Sequence, residues 1–166
     1  MKKIIITLVA LLIPIVINAV DIGIIDLEID NIRYHLDKIN KTAYVTKGPN
    51  TTGNVTIRAT ITYQAETYSV TSIYRNAFRN CSSLVSISIP DGVTSIGDYA
   101  FAYCSQLQTV SISNSSKLTS IGWYAFYGCS SLTSINIPDG VTSISDYAFD
   151  DCSQLHSASI SNSSKL

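Results

Sequence analysis

Charge is scarce in this sequence. Asp, Glu, Lys and Arg make up only 14% of its 166 residues, against roughly 25% in an ordinary soluble domain. A charged disordered tail and a coiled coil are both excluded, because each needs the charged residues that Ser, Thr and Asn replace here. A basic excess is absent too: 11 Lys and Arg face 12 Asp and Glu, and from Thr71 onward four basic residues oppose six acidic ones. Phosphate recognition needs a clustered Lys/Arg surface, so no nucleic-acid partner is expected. Histidine is nearly missing, with His35 and His156 alone, and no GxSxG elbow occurs. A nucleophilic triad therefore has no base to form around, and both histidines read as surface residues rather than catalytic groups. No enzyme activity and no cofactor is expected.

Long apolar runs are limited to one. Lys2 and Lys3 precede an apolar stretch of 14 residues from Ile4 to Ile17, and Asn18 and Ala19 supply a small-residue exit. These are the three parts of a secretory signal, so residues 1–19 are read as a signal peptide. A membrane anchor fits less well, since 14 helical residues cover about 21 Å of a hydrocarbon core of roughly 30 Å. The mature chain is expected to be secreted or held at the cell surface, with no membrane insertion.

What the chain has in abundance is self-similarity. Four segments align, residues 71–93, 94–118, 119–141 and 142–166, with lengths of 23, 25, 23 and 25. Every Phe (Phe78, Phe101, Phe126, Phe149) falls in one register and every Cys (Cys81, Cys104, Cys129, Cys152) in another. The first and third end in PDGV, and the second and fourth in SNSSKL. A unit this short cannot bury its own apolar face, so the units must stack as a solenoid stabilised by neighbours.

Within a unit, Leu84, Ile87 and Ile89 keep the LxxLxL spacing, repeated by Leu107, Val110 and Ile112 and by Leu132, Ile135 and Ile137. The last two apolar positions alternate with polar ones, which predicts a short strand with one buried face and, on stacking, a parallel sheet. Upstream, Ala100, Phe101, Cys104 and Leu107 lie at i, i+1, i+4 and i+7. That spacing predicts a short helix with one buried face, capped by Asp98 or, in the last unit, Asp146. Pro90-Asp91-Gly92 and Pro138-Asp139-Gly140 are turn signatures. The expected fold is thus an α/β repeat solenoid with a parallel strand stack and short helices.

The pattern TSIGxxAFxxCSxLTSIxIPDGV, carried by residues 71–166, resembles the BspA-like (Treponema pallidum type) leucine-rich repeats. That resemblance implies a surface or secreted protein of bacterial type whose work is binding and adhesion. Residues 20–70 resemble the β-rich N-terminal cap of the same family, which shields the first coil. In that stretch VTIRATITY reads as one strand with Val55, Ile57, Ala59, Ile61 and Tyr63 on one side, and a hairpin is expected around Asn40.

Four cysteines in an exported chain suggest disulfides, yet in-register Cβ atoms run parallel rather than toward each other. Buried free thiols are expected. Spacings of 23 or 25 residues with no His column do not make a zinc site. Asp146, Asp150 and Asp151 read as solvated acids rather than cation ligands. The sequons at Asn40, Asn50, Asn54, Asn80, Asn114 and Asn162 follow from an Asn- and Ser/Thr-rich composition.

Two surfaces remain as ligand candidates. The outward side of the strand stack should carry columns of short polar groups: Ser86 and Ser88, then Thr109, Ser111 and Ser113, then Ser134 and Asn136, then Ser157, Ser159 and Ser161. A flat, neutral face of this kind suits an extracellular or host-surface protein, or a glycan, held by many hydrogen bonds worth about 0.5–1.5 kcal/mol each. The second is an aromatic face of Tyr99, Trp123, Tyr124, Tyr127 and Tyr147, residue types that anchor protein interfaces. Adhesion is the leading expectation. The alternatives are a structural remnant of a larger adhesin without its own ligand and a glycan-binding accessory protein.

Overall fold

A computed structural model describes residues 4–6, 15–20, 24–48 and 50–160, with backbone alone for the first two segments and Ile24. All regular structure among them is β. Each coil contributes one strand to each of two sheets, and the core lies between the sheets. The first sheet holds β6 (Gly53–Thr56), β9 (Leu84–Ile89), β11 (Thr109–Ile112), β13 (Ser134–Ile137) and β15 (Ser157–Ile160), all parallel. The second is built on β8 (Glu66–Ile73) and the two-residue strands β10 (Ser95–Ile96), β12 (Ser120–Ile121) and β14 (Ser143–Ile144), stacked parallel.

The N-terminal region extends both sheets. β3 (Ile24–Ile29), β4 (Ile32–Asp37) and β5 (Thr42–Thr46) form an antiparallel meander, and β5 then pairs parallel with β8. Two outer strands, β1 (Ile4–Ile6) and β2 (Ile15–Val20), continue this sheet beyond β3. The signal peptide expected over 1–19 falls on a stretch of which only these two backbone strands are described. The Asn40 hairpin joins β4 to β5, and β7 (Thr60–Tyr63) turns back on β8 through Gln64 and Ala65, both at positive φ.

The segment VTIRATITY is two strands rather than one. β6 belongs to the first sheet and β7 to the second, so the chain rounds a corner at residues 57–59. Val55, Ile57 and Ile61 stay buried through that corner, but Ala59 is exposed, which breaks the predicted alternation there.

The helices expected over the AFxxC segments do not exist. Phe78, Phe101 and Phe126 are buried and stack nearly parallel at 5.1 and 5.0 Å, and Ala100, Cys104 and Leu107 are buried with them, so the predicted inward residues are the correct ones. Their backbone is a ribbon of successive turns. Ala77, Arg79 and Cys81 donate their N–H groups to the carbonyls of Tyr74, Asn76 and Phe78, three residues back, while Asn76, Phe78 and Asn80 donate across to Asp98, Ala100 and Ala102 of the next coil. The second and third coils repeat the scheme, with Tyr99, Phe101 and Tyr103 donating to Trp123, Ala125 and Tyr127, and Tyr124, Phe126 and Gly128 to Asp146, Ala148 and Asp150.

The physical reason is hydrogen-bond direction. A helix spends each N–H on its own i−4 carbonyl, whereas a coil 5 Å from its neighbour needs half of them aimed along the stack. Turning alternate peptides requires left-handed residues two positions before and after the Phe. Asn76 and Asn80, Tyr99 and Tyr103, Tyr124 and Gly128, and Tyr147 and Asp151 all have φ between 54° and 68°. For a non-glycine residue that conformation costs about 1–2 kcal/mol, offset by inter-coil bonds of about 0.5–1.5 kcal/mol each and the packing they align. Asp98 does not cap a helix either: its Oδ1 accepts the Trp123 N–H of the next coil at 2.9 Å.

Candidate binding faces

The polar columns follow from strand register. Asn54, Ser86, Thr109, Ser134 and Ser157 are cross-strand partners in one row of the first sheet. Thr56, Ser88 and Ser111 share a second row, and Asn136 pairs with Ser159. Because side chains alternate across a strand, burying Ile87, Val110 and Ile135 turns these neighbours outward. Thr109, Ser111, Ser113, Ser134, Ser157 and Ser159 are exposed, and Ser86, Ser88 and Asn136 are half-buried. Ser161 lies outside the described residues.

Neighbouring groups on this face hold one another in place. Ser86 Oγ donates to Asn54 Oδ1 at 2.8 Å, Ser159 Oγ donates to Asn136 Oδ1 at 2.8 Å, and Asn136 Nδ2 donates to Asn114 Oδ1 at 2.6 Å. Ser113 and Ser115 share a hydroxyl contact of 2.7 Å, and Ser115 donates to Asp91 at 2.9 Å. Asn54 and Thr56 begin the face, and the sequence reading missed them. Their signal was present: NVT in residues 54–56 has the same polar–apolar–polar order as SIS in residues 86–88.

The face is not uniform. β9 and β11 pair over four residues, as do β13 and β15, but β11 and β13 pair only at Thr109–Ser134 and Val110–Ile135. Above that shortened ladder is an open cleft of about 340 Å³ lined by Thr109, Val110, Ser111, Ile112, Ser134, Ile135 and Asn136. The second unit is two residues longer than the first, and the extra residues fall in the turn that follows β11. A second cleft, about 420 Å³, lies where the β3–β4 turn meets β6, between Asp30, Asn31, Thr51, Thr52, Asn54 and Thr56.

The aromatic residues form a separate ridge along the turn ribbons. Tyr99, Tyr124 and Tyr147 stack at 5.1 Å with interplanar angles of 10° and 9°. Tyr127 meets Tyr103 and Tyr124 edge-on at 5.1 and 5.4 Å. Trp123 and Tyr147 are 56% and 59% exposed, whereas Tyr99, Tyr124 and Tyr127 are half-buried, so the ridge is part core cover and part free surface. Asp151 beside Tyr127 holds that hydroxyl above the usual phenol range.

The cysteines are free. Cys104, Cys129 and Cys152 each donate a thiol hydrogen to the Phe carbonyl of the preceding coil, at 3.1, 3.2 and 3.2 Å. Burial pushes the Cys152 thiol up to about 11. Among the described residues no three His, Cys, Asp or Glu side chains gather into a possible metal site. His35, read as a surface residue, is half-buried, meets Asp26 at 2.8 Å and packs on Tyr44 at 4.5 Å.

Parallel strands stacked in register, with buried Leu, Ile, Phe and Cys columns, define a leucine-rich-repeat solenoid. Residues 69–166 match the BspA type leucine rich repeat region with six copies, and the chain belongs to that family. A leucine-rich repeat protein of Bacteroides capillosus has a similar structure, at 28% identity and a TM-score of 0.73, over 82% of this chain and 99% of that one. A Bacteroides ovatus leucine-rich repeat protein is 34% identical with a TM-score of 0.59, matching 80% of this chain but 40% of its own length. The leucine-rich repeat protein of T. pallidum is 25% identical with a TM-score of 0.58, over 77% of this chain and 68% of its own. No protein of curated function matches the sequence.

Proposed function

We propose that this chain is a secreted or surface-held binding protein, that its hydroxyl face is the ligand-bearing surface, and that its work is adhesion to a protein of a host or neighbouring cell. The observation that carries the reading is the in-register array of outward-facing Ser, Thr and Asn groups over five parallel strands. Such a face has little charge to desolvate and offers donors and acceptors at a strand spacing of about 4.8 Å, which an extended polypeptide can follow.

The test is binding of the purified chain to arrays of matrix and cell-surface proteins and of glycans, beside a variant carrying Ser111→Glu, Ser134→Glu, Asn136→Glu and Ser159→Glu. Saturable protein binding that the variant loses by about 10-fold or more supports adhesion, since four carboxylates must then be desolvated at the contact. Binding confined to glycans favours the glycan-binding alternative, and no binding on either array favours a remnant without a ligand.

A further inference from the structure

The aromatic ridge carries a charge pattern along its length. At its N-terminal end lie Arg75, exposed, and Arg79, whose guanidinium rests on the rings of Tyr99 and Tyr103 at 5.2 and 5.9 Å. At its C-terminal end lie Asp146, Asp150 and Asp151, all exposed. Among the described residues none of these five charges has an opposite partner within ion-pair distance. Between them stand the rings of Tyr103 and Trp123, 45% and 56% exposed, and Tyr147, 59% exposed, stands beside Asp146. Asp98, the remaining charge on the ridge, has one carboxylate oxygen engaged with the Trp123 N–H.

We infer that this ridge is a self-complementary interface through which two copies of the chain associate antiparallel about a two-fold axis. In that arrangement the first coil of one copy meets the fourth coil of the other, so Arg75 and Arg79 face Asp146, Asp150 and Asp151 twice, and at the centre the second coil meets the third, with Trp123 opposite Asp98 and the Tyr103 ring opposite Gly128. A two-fold contact uses one patch on both copies, which is what a patch positive at one end and negative at the other supplies. A parallel side-by-side pairing would set like charges against each other and is disfavoured. Four coils at about 5 Å place the charged ends about 15 Å apart, beyond a Debye length of about 8 Å at physiological salt, so each end acts as a separate selector.

The size of the patch sets the strength. A ridge of about 20 Å by 20 Å offers about 400 Å² per copy, half of the usual 800 Å², which places the pair among weak, reversible contacts. The partner is a second copy rather than an unrelated protein because this chain itself supplies both halves of the match.

Sedimentation equilibrium of the full chain over a concentration range up to about 1 mM tests this. A monomer–dimer equilibrium is expected with a dissociation constant of about 10–1000 μM that weakens as salt rises. Arg75→Asp in one chain and Asp146→Arg in another, which occupy the same column of the first and fourth coils, should each raise that constant by about 10-fold or more. An equimolar mixture of the two should restore association as a heterodimer, because opposite charges then meet at both ends. Arg79 is left alone because it also packs on the tyrosines, and unchanged circular dichroism confirms that each variant is folded. A wild-type chain that stays monomeric to about 1 mM overturns the inference, as does dimerisation indifferent to either charge change or charge variants that fail to associate when mixed.

Discussion

Phe101 and Ser111 stand ten residues apart in the same coil, yet one belongs to the core and the other to the outer face. Phe101 is fully buried between the rings of Phe78 and Phe126, so Phe101→Ala opens a cavity between two coils and should cost about 3–5 kcal/mol. Ser111 is exposed, and Ser111→Ala should change stability by less than about 0.5 kcal/mol. Urea denaturation of the two variants checks both values, and equal midpoints would contradict the assignment of inward and outward positions. The thiol column makes a prediction of its own. Burial raises Cys81 and Cys152 above the usual thiol value of 9.0, Cys152 to about 11, and a hydrogen bond with Cys104 together with burial raises Cys129. Above pH 9 the unfolded chain therefore loses thiol protons that the folded chain keeps, so stability is fully present below pH 9 and falls as pH rises from 9 toward 11. Replacing Cys152 by Ala should flatten part of that alkaline loss in pH-dependent denaturation curves.

At the scale of elements, the repeat register and the inward residues were legible in the sequence, and the conformation of one segment was not. An i, i+1, i+4, i+7 pattern is what a helix buries, but the turn ribbon buries the same Ala, Phe, Cys and Leu, so periodicity alone could not separate them. The distinguishing signal was local. Asn80, Gly128 and Asp151 share one column and are residue types that tolerate left-handed φ, while a helix interior disfavours Gly, Asn and Asp. Tyr99, Tyr124 and Tyr147 at positive φ masked that signal, because tyrosine gives no local hint of the conformation and is held there by the stack. The polar face was legible because alternation in a half-buried strand leaves only one assignment. Its shortened ladder between β11 and β13 was not, since register depends on how a neighbouring turn of different length settles. Far-UV circular dichroism of the chain should accordingly show a β-type spectrum without the 208 and 222 nm pair of a helix, whereas folded helical AFxxC segments would produce one. Close coil approach adds a second check. A Cβ on Gly122 would lie 2.7 Å from the backbone nitrogen of Asp98, so Gly122→Ala should destabilise by about 1–3 kcal/mol, as overpacking does. Ser145 stands in the same column one coil later, and there the Tyr124–Asp146 inter-coil bond stretches to 3.4 Å.

Across the whole molecule, stability is divided between coils and the joints between them, because no coil holds its own core. The N-terminal region is one with this scheme: β5 and β6 hydrogen-bond to β8 and β9 as further coils would, which seats the first repeat on both sheets. If joints rather than distant contacts carry the energy, coupling between substitutions should extend one coil and stop. Phe101 and Phe126 touch at 5.0 Å, whereas Phe78 and Phe149 are separated by the Phe101 and Phe126 rings. In a double-mutant cycle Phe101→Ala and Phe126→Ala share one joint and one enlarged cavity, so their effects should depart from additivity by about 0.5–3 kcal/mol. Phe78→Ala with Phe149→Ala removes side chains about 15 Å apart that share no ring partner and should be additive within about 0.5 kcal/mol. Equal coupling in the two cycles would mean that the coils melt as one indivisible core, and the nearest-neighbour account of this solenoid would then be wrong.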